Sequence, residues 1–102
     1  MVEELSKSGF EAFTKKGVVL VDFFAEWCMP CLMLAPIVDE LSNKIKKIKF
    51  GKVNIDDSRD LAEEFAVMSV PTLIVFKNGK EVDRIVGALP ADVLEERLKK
   101  FI

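Results

Sequence analysis

Apolar residues along this chain switch between two spacings, and each switch marks a change of element. Residues 2–5 suit a short edge strand. From about Ser6 to Lys16, Phe10 and Phe13 share one face among polar neighbours, and Gly17 closes what reads as a short helix. Val18 to Phe24 is rich in β-branched and aromatic residues and apolar throughout except at Asp22. A strand buried on both faces has that signature, which places this one at the centre of a sheet. Leu34, Ile37, Val38, Leu41 and Ile45 then recur at helical spacing between Cys31 and about Lys47. Pro36 falls inside that pattern, and a kink is expected where its ring crowds the preceding turn. The cations from Lys44 to Lys49 read as charges gathered at a helix C-terminus.

Lys49 to Ile55 is the next strand, with Phe50, Val53 and Ile55 apolar. Strand, long helix, strand is a βαβ unit, so these two strands should be parallel. Asp56, Asp57 and Ser58 each offer an N-cap for a helix carrying Leu61, Ala62, Phe65 and Ala66. Thr72 to Phe76 and Glu81 to Val86 are strands joined through Asn78-Gly79, the pair that favours a tight antiparallel hairpin. Pro90 opens a final helix with Val93, Leu94, Leu98 and Phe101 on its inner face. The expected class is α/β: a mixed sheet of four or five strands with helices on both faces.

Within that frame one pentapeptide stands apart. Trp27-Cys28-Met29-Pro30-Cys31 holds the only tryptophan and both cysteines of the chain, where strand gives way to helix. If Cys28 sits at or just before the first helical turn, unpaired N–H groups and the helix dipole favour its thiolate. Cys31, one turn on, is near enough to close a disulfide but lies deeper. Pro30 suits the first turn, where a missing N–H costs nothing. An attacking thiolate beside a resolving thiol is what a reversible dithiol–disulfide couple needs. A structural disulfide over so short a loop gains little entropy from closure. Zinc calls for about four ligands, and with no histidine and no third cysteine it would require a dimer, so no metal is expected. Two ordinary core cysteines would not usually sit between Trp and Pro at such a junction.

Composition narrows the partners. A chain of 102 residues can build one core but not two, so 1–102 is expected to be a single domain. The net charge of −2 gives no reason to expect nucleic acid or an anionic membrane. No apolar run approaches the ~20 residues of a membrane span. Glu3 and Glu4 stand where a secretion signal would carry basic residues, and a cytoplasmic protein, probing targets as a monomer, is the expectation. In that compartment a CxxC pair is more often catalytic than structural.

Several separated motifs then occur in order: Asp22-Phe23-Phe24-Ala25-Glu26-Trp27-Cys28-Met29-Pro30-Cys31, Pro36, Lys52-Val53-Asn54-Ile55-Asp56, Val70-Pro71-Thr72, Asn78-Gly79 and Val86-Gly87-Ala88. Over nearly its whole length the chain resembles the thioredoxin family. The resemblance implies a sheet ordered 1-3-2-4-5. It also implies Cys28 as exposed nucleophile, Cys31 as resolving thiol, and a cis peptide bond before Pro71 facing them. The Val70 backbone would pair with an extended substrate segment. Asp22 matches a buried acid beneath the cysteines and Lys52 its neighbour. Read alone, Asp22 could point to solvent at a strand end, but apolar residues on both sides suggest burial and a raised pKa suited to proton relay with Cys31. Lys52 alone is an edge lysine, and Gly87 and Ala88 alone are a strand end. With Trp27, Met29, Pro30 and Val70, those two residues make a flat apolar contact surface. Met29 replaces the family's usual glycine and Phe24 a frequent second tryptophan; the first bears on the redox potential and on partner choice.

The reading that follows is a protein-disulfide oxidoreductase working as a reductase. It would be recycled by a thioredoxin reductase-type donor, since no Gly-rich fingerprint for a nicotinamide or flavin cofactor is present. The alternatives are a glutaredoxin-like protein fed by a small thiol, a binding module with incidental redox activity, and a thiol oxidase.

Overall fold

The computed structural model describes every residue from Met1 to Ile102. Strands β1 (Val2–Glu4), β2 (Val18–Phe24), β3 (Ile48–Asn54), β4 (Thr72–Lys77) and β5 (Lys80–Val86) form one sheet in the order β1-β3-β2-β4-β5. β2 is central: it pairs in parallel with β3, Asp22 opposite Lys52, and antiparallel with β4. Helices α1 (Lys7–Thr14), α2 (Met29–Lys44), α3 (Arg59–Glu64) and α4 (Ala91–Lys99) cover the faces. None is long and apolar enough to cross a membrane.

Strand alternation divides the interior in two. Val18 and Leu20 of β2 pack with Leu34, Val38 and Leu41 of α2 and with Leu94 and Leu98 of α4. Val19, Val21 and Phe23 point the other way, toward Phe10, Leu61 and Phe76. Phe10, Phe65 and Phe76 meet there with ring centroids 5.1 to 5.6 Å apart, two of the pairs edge to face. By the same alternation Asp22 faces α2, the helix that carries the cysteines. A carboxylate occupies a place where the pattern calls for a leucine.

Several details of the helices differ from expectation. α2 begins at Met29 and ends at Lys44, so Lys46 and Lys47 lie past the helix. Ile45 turns the backbone out of the helix (ψ 87°) and is buried, returning the chain to the sheet. Lys44 remains in the last turn, with its ammonium 3.0 Å from Glu95. α3 starts after Ser58, whose side chain makes no capping bond. The Asn54 side chain instead closes the turn that precedes the helix, accepting from the N–H groups of Asp56 (2.9 Å) and Asp57 (3.4 Å). Ala66 lies beyond α3 with φ 52°, and the Phe65 and Ala66 carbonyls accept from Arg84 at 2.7 and 3.3 Å. Finally, Val93 of α4 is 46% exposed rather than inward, and Phe101 falls past the helix end.

The hairpin follows its sequence closely. Asn78 and Gly79 both have positive φ (51° and 87°), as a tight hairpin turn demands. Asn78 also reaches back to the α1–β2 turn, exchanging hydrogen bonds with the Gly17 backbone at 2.9 Å in both directions.

Candidate active site

The site begins where β2 ends. The chain leaves the sheet at Ala25, whose carbonyl accepts from Cys28 N–H at 3.2 Å, and Cys28 takes the N-cap position of α2 in extended conformation (φ −94°, ψ 109°). Its Sγ accepts a hydrogen bond from the Cys31 N–H at 3.2 Å. The sulfur therefore takes the place of the usual Ser or Asp cap, at the positive end of the helix dipole. A thiolate there is held by a donor that has no other partner. Pro30 lies in the first turn and withholds no needed donor. Cys28 and Cys31 are joined in a disulfide, with Cα atoms 5.2 Å apart.

Cys28 is less open than its expected role as the exposed sulfur implies. Its exposure is 5%, against 3% for Cys31. Bonded to Cys31, it packs into a small apolar cluster with Ala25, and Val70 closes over it. Its Sγ lies 3.7 Å from the Val70 carbonyl oxygen. The peptide bond from Val70 to Pro71 is cis. Thr72 Oγ1 steadies the turn by donating to the Ser69 carbonyl at 2.7 Å. Gly87 N–H donates to the Pro71 carbonyl at 2.8 Å, and its φ of 97° lies where only glycine is at ease. The fold thus brings Val70, Pro71 and Gly87 up to the Cys28 side, with Ala88 exposed beside them.

Trp27 and Met29 project outward, 69% and 66% exposed. The Trp27 indole N–H donates to Asp56 Oδ2 at 2.9 Å. Asp56, read from sequence as one of three possible helix caps, instead fixes the ring that flanks Cys28. Leu32, Met33 and Met68 are also exposed apolar side chains of this end that the sequence reading left out. For two of them a signal existed: Met29, Leu32, Met33 and Pro36 fall on one face of α2, opposite the face that packs on the sheet.

Beneath the cysteines, Asp22 is 4% exposed and its Oδ1 has no hydrogen-bond partner. Burial pushes its carboxyl from the ordinary 3.8 up to about 7, against the opposing pull of the Lys52 ammonium. No ion pair joins the two side chains; the Lys52 ammonium sits 5.7 Å from the centre of the Phe24 ring. A cavity of about 180 Å³ spans the space between Asp22 and Cys31, with Phe24, Ala25, Ala35 and Lys52 in its wall. That is room for several waters, which need the polar partners that Asp22 and Lys52 supply.

With this geometry in place, comparison with known proteins gives a consistent result. The family model described as Thioredoxin matches residues 1–100. A thioredoxin of Chlamydia caviae is 51% identical over 94 residues, 92% of this chain and 92% of that protein. A Bacillus subtilis thioredoxin is 39% identical over 102 residues, 99% of this chain and 98% of its own. Among solved structures, Plasmodium falciparum thioredoxin superposes with a TM-score of 0.92 at 36% identity, covering 99% of this chain and all (100%) of that one. Malassezia sympodialis thioredoxin gives 0.91 at 32% identity, covering 99% of this chain and 90% of its own.

Proposed function

Because the chain belongs to the thioredoxin family and is a protein-disulfide oxidoreductase, we propose that it reduces disulfides of partner proteins with Cys28 as nucleophile, Cys31 as resolving thiol and Asp22 as proton acceptor. The observation that carries this assignment is the Cys31 N–H donating to Cys28 Sγ at the helix N-cap. In the reduced protein the Cys28 thiolate attacks one sulfur of the target. A Cys28–target bond forms, the target bond breaks, and the second target sulfur leaves as a thiolate. Cys31 then gives its proton to Asp22 and attacks Cys28 Sγ, closing the Cys28–Cys31 disulfide and releasing the first target sulfur. Two electrons pass from the protein dithiol to the target, and the two target thiolates take protons from solvent.

A group with a pKa near neutrality is well matched to accept and return a proton under neutral conditions, which supports Asp22 in this role. Lys52 tempers it as a positioning residue. Trp27, Met29, Pro30, Val70, Gly87 and Ala88 form the contact surface. There the Val70 backbone is offered to an extended target segment, and Pro71 holds that loop against Cys28. The family implies recycling by a thioredoxin reductase; in this reading residues 1–102 act as a single-domain monomer in the cytoplasm, where reductants keep such couples reduced.

The decisive experiment is trapping. A Cys31→Ser protein should accumulate mixed disulfides through Cys28 with target proteins, and Cys28→Ser should lose turnover entirely. If Cys31→Ser traps nothing while wild type turns over, the two-step assignment is wrong. Efficient recycling by glutathione alone would replace the reductase-fed reading with a glutaredoxin-like one.

A further inference from the structure

Asp22 stands between two cavities. The first joins it to Cys31. The second, about 290 Å³, lies between α2 and the β1–β3 edge, with Val2, Pro36 and Asp39 in its wall. Asp22, Ala35 and Lys52 line both, so the two voids meet at the buried carboxyl. None of the proposed contact residues lines the second one. It opens at β1, one edge of the sheet, whereas Val70 and Gly87 flank β4 and β5 at the other.

The proposed mechanism raises a problem of access. When Cys31 must lose its proton, a target is bonded to Cys28 and seated on Trp27, Met29 and Val70. The outer wall of the first cavity includes Glu26 and Leu32, neighbours of that covered surface. A proton taken up by Asp22 then has no exit at the front. We propose that Asp22 exchanges its proton with solvent through the second cavity, along water held between Lys52 and Asp39, while the bound target closes the front of the site.

The wall is built for such a path. Water in a cavity needs two to four polar partners, and a dry apolar void would carry no proton. Asp22 Oδ1 is unpartnered at the inner end. The Lys52 ammonium lies alongside, in no ion pair. At the mouth Asp39 is exposed, and its carboxylate makes no hydrogen bond or ion pair; only its backbone carbonyl is engaged, by Ser42 Oγ at 2.6 Å. Besides Asp22, the charged groups lining the two cavities are Lys52 from β3, Asp39 from α2 and Glu26 from the turn before α2, and the Met1 ammonium, held by Ser42 Oγ at 2.8 Å, stands beside the mouth. Val2, half-buried, is the apolar jamb opposite Asp39. The transfer needs no oxidant or reductant: the Cys31 proton passes to Asp22, then to cavity water, and an equal charge leaves to bulk. Asp39 acts through water and is a positioning residue.

This inference rests on Asp22 as proton acceptor, and the test separates the two ideas. Reduced protein is mixed with either a folded protein disulfide or a small linear disulfide, and disulfide closure is followed by rapid acid quench and thiol counting. Val2→Trp fills the mouth, and Asp39→Asn removes its charge without changing its shape. With the protein target, Val2→Trp should slow closure about tenfold and Asp39→Asn about threefold, while both stay within about twofold of wild type with the small disulfide, which leaves the front wet. Asp22→Asn should slow both reactions. Should the two mouth variants slow both targets equally, or neither, while Asp22→Asn slows both, the rear route is wrong and the role of Asp22 stands. Should Asp22→Asn slow neither, that role falls and the route with it. Asp39 is on the surface, so its variant guards against a folding defect in Val2→Trp.

Discussion

Two aspartates on the sheet are treated in opposite ways. At the β5–α4 flank, Asp83 accepts both prongs of the Arg97 guanidinium at 2.8 Å and the Arg84 N–H at 2.8 Å. Those donors hold its carboxyl below the usual range, the Arg97 hydrogen bonds first among them. At the centre of β2, Asp22 is more deeply buried and has a bare oxygen, and desolvation drives its carboxyl up. The flank satisfies its polar groups and thereby fastens a helix to an edge strand. Beneath the cysteines a charge is left unsatisfied, which weakens the fold near neutrality and makes the group responsive to protons there. A buried polar group without a partner, beside a cavity and a redox pair, is the mark that separates the site from the scaffold.

The sharpest way to break this contrast is to titrate stability. A folded pKa of about 7 against 3.8 corresponds to about 4 kcal/mol. Because the folded value is raised, the folded state holds a proton that the unfolded chain has released. The contribution of Asp22 to stability is therefore greatest below about pH 4, declines as pH climbs, and levels off above about pH 7. Asp22→Asn should abolish that decline, so that in urea unfolding of the oxidised proteins the variant gains on wild type by up to about 4 kcal/mol between those limits. A pH-independent difference would show that Asp22 is not the group that titrates.

A smaller change sharpens the same point. Lys52→Met removes the one charge that opposes desolvation, so the pH at which wild-type stability levels off should move upward. A downward move would mean that Lys52 does not act on Asp22 through its charge. On the flank the sign reverses: Asp83→Asn should lose about 1 kcal/mol at neutral pH. That deficit should vanish in acid, because a depressed carboxyl stabilises the fold only above its titration. It should also shrink in high salt, whereas the Asp22 effect, out of reach of counterions, should not. The smallest effect is expected at Asp56. Asp56→Ala frees the Trp27 indole and should raise KM for protein targets about threefold with kcat unchanged; a fall in kcat would place Asp56 in the chemistry rather than in docking.

What the sequence made legible was what local pattern encodes. The unbroken apolar run of Val18 to Phe24 identifies a central strand, Asn78-Gly79 identifies a hairpin, and two cysteines three apart at a strand–helix junction identify the chemistry. Asp22 stood out because it interrupts that run. The order of the strands came from resemblance, since nothing in β1 says that it pairs with β3. Other features were out of reach because they are contacts between distant segments. Asp56 finds Trp27 across 29 positions, and Asn54 reaches Glu26 across 28. The end of α2 was misplaced because Ile45 fits both the helical periodicity and the burial that pulls the chain out of it. The voids around Asp22 belong to the packing of α2 on the sheet and leave no trace in the order of residues.

The lone tryptophan has a consequence of another kind. The chain contains one Trp and no Tyr, so excitation at the red edge of protein absorbance lights a single ring. That ring is solvent-facing, anchored to Asp56 and adjacent in sequence to Cys28. A neighbouring disulfide is an efficient acceptor for an excited indole, and thiols are poor ones. The molecule therefore carries its own optical gauge: emission should brighten on reduction and shift to the blue when a docked surface strips water from the ring. Redox state and occupancy can thus be followed in real time without a label.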